Sequence, residues 1–416
     1  MVDPGICQKP MCADTSTLSV EKMTQSDATT RSRIHEVDAI RGFALAGILV
    51  ANIGLFADPA LLSTMGGEAG GGGPVRFAVQ ALVETKFYVI FAFLFGYSFT
   101  LQMRSARRAG ASVRARTLRR CLGLFVIGVL HGLLFWVGDI LTLYAALGLV
   151  LLASRGIRVR TAVTAAAVIV SVLSVLWLLL AWLSVLAPEA PAPAANPAEA
   201  AEAARALAAT TGDPLDYLGL HLTQYPRTAL LIWLFQGPMA MALFLLGFAA
   251  GKARLFEEPE RWARLVPRAQ WAGFGIGLPA GVLYAVTSGR GGTAETLVLA
   301  LNTVTSPLLA AAYVATLLRV IRRAPSVSSA LVPAGRSAAS NYVGQSVLAC
   351  LVFTGYGLGL AGWLSPLAVM GVAAVIYTVL LGLSAWWLRA HRYGPVEYGL
   401  RRLTAWGEGR GGSAGG

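Results

Sequence analysis

His131 and Asp139 lie eight residues apart inside the apolar run GVLHGLLFWVGDILTLYAALGL, residues 128–149. Histidine changes charge near neutral pH, and a carboxylate that holds one ring nitrogen leaves the other free to accept a proton. Such a pair can act as a general base toward a hydroxyl or an amine. Each member also has a plainer use, since a lone histidine can bond a backbone carbonyl and an aspartate at the head of a helix can cap it. Tyr144, five residues beyond Asp139, can line the same cavity.

The surroundings of the pair decide what it costs to hold. The chain has 416 residues, of which 56% are hydrophobic and 13% charged, and its mean hydropathy is +0.63. Soluble domains carry about 25% charged residues. The run 161–186 exceeds the roughly 20 residues that span a hydrocarbon core. The pattern predicts an all-α, polytopic membrane bundle. A membrane barrel would instead alternate over segments of about ten residues, and no such alternation is present. Ten spans are expected, at 39–57, 79–103, 118–137, 139–153, 161–186, 229–250, 271–287, 296–318, 338–358 and 364–390. The third and fourth are joined by almost nothing, so His131 and Asp139 sit at a tight hairpin.

The formal net charge is +13. With the N-terminus inside, 29 of the 34 basic residues fall on inner segments, leaving Arg76, Lys86, Arg205, Arg227 and Arg290 outside. That bias predicts a multi-pass protein of the cell membrane with both termini cytoplasmic. It explains the charge without a nucleic-acid partner, and the lipid bilayer is the partner it implies; the oligomeric state is left open. Cys7, Cys12, Cys121 and Cys350 form neither a zinc spacing nor a disulfide framework. No carboxylate, His or Cys cluster has metal-ligand spacing, so no metal or other bound cofactor is expected.

Residues 1–36 read as a polar, disordered cytoplasmic tail without the apolar core of a signal peptide. Met23 offers a second start. The membrane domain is expected over 37–404, with long outer segments at 58–78 and 187–227, and 405–416 as a flexible tail. The first outer segment contains STMGGEAGGGGPVR, which lacks the Lys-Ser/Thr of a phosphate loop and reads as a lid or linker. The second passes from proline-rich spacing to an alanine-rich helical stretch.

Ionisable groups at membrane depth cost about 2.5–3.5 kcal/mol each and usually face the bundle interior. Arg41 opens the first span, either as an interfacial anchor or as a contact for an anionic group at the inner mouth. Asn52 follows about 16 Å further along the helix. Glu84 and Lys86 enter the second span, where snorkelling accounts for a lysine as well as chemistry does, and Gly96 suits a close helix contact. In GRSAASNYVGQS, Arg336 marks the inner boundary. Asn341 and Gln345 share a helix face, flanked by Ser337 and Ser340, and need either another helix or a polar ligand. Gln236 and Asn302 read as structural. His35 and His391 read as cytoplasmic, and His221 as an outer-loop residue without a partner.

Five segments in order, VDAIRGFALAGILVANI, KFYVIFAFLFGYSF, RRCLGLFVIGVLHGLLFWVGDILTLYAALGL, GRSAASNYVGQS and GPVEYGLRRLT, resemble the YeiB-type family of bacterial integral membrane proteins. The resemblance runs from Val37 to Thr404. That family is similar to the transmembrane acyltransferase superfamily, which includes the lysosomal heparan-glucosaminide N-acetyltransferase and bacterial acyltransferase-3 proteins. The resemblance implies use of cytoplasmic acyl-CoA and delivery of the acyl group to a hydroxyl or amine on the far side. In those enzymes a histidine lies in or near the first outer loop. Here 58–78 contains none, and His131 stands in by its own position.

The expectation is therefore acyl transfer from acyl-CoA, a donor substrate, to a small-molecule, glycan or lipid acceptor. Arg41 and Arg336 would dock its phosphates, and His131, oriented by Asp139, would be the general base, an effect of about 10²–10⁴-fold. Lys86 or Asn52 would stabilise the developing oxyanion. The rival is a proton-coupled transporter or permease for a small molecule or lipid precursor, with the same pair as a proton relay. The internal repeat common in transporters is not evident. A third reading is a scaffold for another membrane enzyme, supported by the segment 187–227 and the closing PVEYGLRRLTAW.

Overall fold

The computed structural model describes residues 15–63, 73–186 and 197–406. Those residues form helices and connecting turns, with no strand among them. Helix α1 (Thr15–Ala57) is followed by the single turn α2 (Ala60–Ser63). Next, α3 (Gly73–Leu82) and α4 (Phe87–Arg108) form one broken span. α5 (Val113–Leu134), α6 (Leu141–Ala153) and α7 (Val159–Leu186) follow, then α8 (Pro197–Thr211) and α9 (Pro214–Leu231). A π-helical segment (Ile232–Gln236) links α9 to α10 (Gly237–Lys252). After α11 (Pro259–Trp262), α12 (Leu265–Ala272) reaches α13 (Leu278–Thr287) through a second π segment, Gly273–Gly277. α14 (Gly292–Arg323), α15 (Pro325–Arg336), α16 (Ala338–Phe353), α17 (Pro366–Ala390) and α18 (Pro395–Ala405) complete the chain.

Each of the ten apolar runs corresponds to a helix. Among the described residues, eight spans are long and apolar enough to cross a membrane, and α6 and α16 are shorter. The protein is thus an all-α polytopic membrane bundle. Central packing pairs α4 with α10 and α1 with α15, α16 and α17. A methyl group on Gly96 would strike the Phe244 carbonyl, so α4 and α10 approach as closely as they do only because that position is glycine.

The regions expected to be irregular are more helical than the sequence suggests. α1 extends back to Thr15, into the expected tail, while residues 1–14, with Cys7 and Cys12, lie outside the described residues. The glycine run from 64 to 72 and the proline-rich 187–196 also lie outside them, as does the tail from 407 on. The rest of the second outer segment is α8 and α9, divided at Asp213. Its carboxylate accepts from Leu215 N and Asp216 N, and Asp216 returns a bond to Asp213 N. Pro214 in the first turn completes a strong start signal.

Candidate functional site

α6 has 13 residues, which rise only about 20 Å against a hydrocarbon core of about 30 Å. The α5–α6 turn is buried at His131, Trp136, Val137 and Asp139, and a buried backbone polar group needs a partner from the protein. α9 supplies several. Tyr217 Oη donates to Phe135 O at 2.9 Å, and His221 Nδ1 lies 3.1 Å from Gly132 O. Cys350 Sγ donates to Phe135 O at 3.3 Å, and Ile140 N donates to Tyr342 Oη at 3.4 Å. His221, expected in an outer loop without a partner, is instead a buried strut of this turn.

Within the turn Asp139 does both things the sequence allows. Its Oδ2 accepts from Thr142 N at 3.0 Å, capping α6, and its Oδ1 lies 2.9 Å from His131 Nδ1. Both residues are buried, at 0% and 2% exposure. A methyl at Gly128 would come within 2.7 Å of Asp139 Oδ2 and of Thr142 N, so that glycine makes room for the carboxylate. The other imidazole nitrogen, Nε2, lies 2.9 Å from the Ser346 hydroxyl on α16. Asp139, His131 and Ser346 form a continuous relay. With Nδ1–H donating to the carboxylate, Nε2 accepts the serine proton, which is the arrangement of a catalytic triad.

The relay does not open directly onto free space. Beside it is a chamber of about 1370 Å³ at the end of the bundle where α1 finishes and α4 begins. Tyr342, whose ring lies 4.9 Å from the imidazole, and Ile140 form part of its wall. Asn52 and Tyr144 also line the chamber. His131 and Asp139 stand behind this wall rather than in it.

The other candidates are dispersed. Lys86 does not snorkel. It is fully buried, donates to Gln80 O at 3.0 Å and sits 5.6 Å from the Tyr284 ring on α13, without a contact to the relay. Asn341 Nδ2 bonds Ala334 O and Ser384 Oγ, at 3.0 and 2.8 Å, and Gln345 Nε2 bonds Leu45 O at 2.9 Å. Those amides join helices. Arg41 pairs with Asp38 and Ser98, whereas the exposed Arg336 donates to Arg392 O. Arg41 is not among the residues lining the chamber, which begins on α1 at Ile48, about two turns further along.

Ser346 is the partner of His131 that the sequence hides. It closes the segment GRSAASNYVGQS, but no local spacing connects it to a histidine 215 residues earlier. The only trace is its register, one turn beyond Tyr342 on the same helix face. Tyr217 and His221 were equally illegible, because each bonds a carbonyl of a turn more than eighty residues earlier in the chain.

Residues 250–407 match the family described as protein of unknown function (DUF418). The chain is 30% identical over 394 residues to the uncharacterised protein YxaH of Bacillus subtilis (strain 168), covering 90% of this chain and 95% of YxaH. It is 27% identical over 396 residues to an uncharacterised 39.9 kDa protein of the amylase 3′ region in Bacillus acidopullulyticus, covering 89% and 94%. YeiB of Escherichia coli (strain K12) is 34% identical over 118 residues, 27% of this chain and 29% of YeiB. No solved structure matches. With nearly all of YxaH aligned and the closing helices matched by the family model, the chain belongs to the DUF418 family of YeiB-like multispanning membrane proteins.

Proposed function

We propose that this protein is a membrane acyltransferase that works through an acyl-Ser346 intermediate. The observation carrying the reading is the hydrogen-bonded series Asp139–His131–Ser346, with both imidazole nitrogens engaged at 2.9 Å. A proton relay for transport would not need a hydroxyl at its end; a nucleophile does.

In the first half-reaction Ser346 Oγ attacks the carbonyl of an activated acyl ester, for which acyl-CoA is the candidate donor. His131 Nε2 takes the hydroxyl proton, the C–S bond breaks, and the departing thiolate takes that proton from Nε2. In the second, an acceptor hydroxyl or amine attacks the acyl-serine and gives its proton to Nε2. The C–Oγ bond breaks, and Ser346 recovers the proton. Asp139 keeps Nδ1 protonated throughout and stabilises the imidazolium that forms in each half. Rotation of Tyr342 connects the relay with the chamber.

The reading includes an address. The protein acts in the cell membrane with both termini cytoplasmic, the orientation supported by 29 of 34 basic residues on one set of segments.

The test is release of free CoA thiol by purified protein in liposomes, given a panel of acyl-CoAs with hydroxyl and amine acceptors. Acceptor-dependent release is expected, falling by roughly 10³-fold or more in Ser346→Ala and in His131→Ala. Release that survives Ser346→Ala removes the acyl-serine, and substrate accumulation inside vesicles without thiol release favours transport.

A further inference from the structure

We infer that the outer chamber is the binding site for one membrane amphiphile whose headgroup is uncharged and bears hydroxyls. At about 1370 Å³ the chamber exceeds the roughly 300–1,000 Å³ of small-molecule pockets, which fits an occupant with a long chain.

Its two sides differ chemically. On one, Leu176, Trp177 and Leu180 of α7 face the π-helical segment, whose Phe235 lies against Trp177 with ring centroids 6.3 Å apart. α7 is the most exposed of the candidate spans, so this wall stands between the chamber and the surrounding lipid. An apolar chain can enter sideways there. π-helical turns inside longer helices recur at functional sites, and this one contributes Ile232, Leu234, Phe235 and Gln236 to the lining.

On the other side, Thr85 sits between α3 and α4 with φ of 65°, a conformation that a β-branched residue rarely adopts. Its hydroxyl lies 2.7 Å from Ser306 Oγ and accepts from Asn302 Nδ2 at 3.2 Å, while Ser306 donates to Asn302 Oδ1 at 2.8 Å. All three line the chamber. Backbone strain held in place by a side-chain network is found where binding geometry must be fixed. The charged groups of the lining are Asp58, Arg76 and Glu84, and Lys86 lies beside Glu84 and 5.6 Å from the lining Tyr284 ring, so these charges balance among the described residues. A balanced set offers no net attraction to a charged headgroup, while hydroxyls and amides that both donate and accept suit a polyol.

This deepens the transfer reading, in which the bound lipid is the acceptor, but it stands on the chamber alone. Its test therefore measures binding without turnover. The protein is reconstituted into phosphatidylcholine nanodiscs doped equally with glucosyl diacylglycerol and phosphatidylglycerol, and the retained lipid is read by native mass spectrometry. The glucosyl lipid should be enriched over the bulk. Leu176→Trp with Leu180→Trp, which fills the chain side, should lower its retention about tenfold. Val185→Trp, on α7 but outside the lining, should leave it unchanged. Glu84→Gln should narrow the discrimination against phosphatidylglycerol. Bulk proportions of both lipids in the wild type, or a preference for phosphatidylglycerol, would overturn the inference. So would equal retention by the filled variant.

Discussion

His131 Nε2 and Ser346 Oγ, 215 positions apart in the chain, meet at 2.9 Å between α5 and α16. The imidazole is held from behind by Asp139, and the carboxylate in turn by the first turn of α6. Helix packing thus joins three separate polar residues into one hydrogen-bonded path.

Asp139→Asn tests the direction of that path. An amide can still cap Thr142 N with its oxygen, but then its NH₂ faces His131 Nδ1 and selects the other tautomer. Nε2 becomes a donor and ceases to be a base. Turnover should fall by about 10⁴-fold with the helical content intact. Wild-type turnover in this variant would separate the carboxylate from the chemistry.

Gly128→Ala sets two effects against each other. In an open helix the change stabilises by about 1 kcal/mol. Here the new methyl meets Asp139 Oδ2 and Thr142 N at 2.7 Å, and such overpacking costs about 1–3 kcal/mol. A lower thermal midpoint in detergent, with reduced turnover, is expected; a raised midpoint would show that the site is looser than described.

Asn341 and Ser384 exchange two hydrogen bonds, at 2.8 and 3.1 Å, between α16 and α17. A double-mutant cycle of Asn341→Ala and Ser384→Ala should give a coupling of about 1 kcal/mol in unfolding stability. Lipid retention should not change. Loss of lipid without loss of stability would return Asn341 to the binding residues.

Orientation is open to a labelling experiment. Arg205→Cys on α8 and Arg264→Cys between α11 and α12 are both exposed positions. A membrane-impermeant maleimide applied to intact cells should label the first and spare the second. The reverse pattern would invert the bundle.

The bundle was legible in the sequence because bilayer thickness imposes a length and a charge pattern that local composition must satisfy. The ten runs and the Asp139 cap follow from those rules. Asn341 and Gln345 were visible as polar residues on one face, yet only the fold distinguishes a helix contact from a ligand contact. Lys86 stood equally open to snorkelling and to oxyanion chemistry, because a position near a span end permits both, and the Gln80 carbonyl and α13 draw it inward, away from the relay. Ser346 and the α9 face were out of reach for a different reason: each contacts a segment more than eighty residues away, at a turn whose needs appear only once it is seen to be buried.

The acyl-serine is the most direct point of test. Purified protein is incubated with radiolabelled acyl-CoA in the absence of acceptor, and the labelled peptide is identified by mass spectrometry. The account predicts one acyl group on Ser346, absent from Ser346→Ala and discharged when acceptor is added. Undiminished labelling of Ser346→Ala, or acceptor-dependent turnover with no covalent label on Ser346, would contradict it.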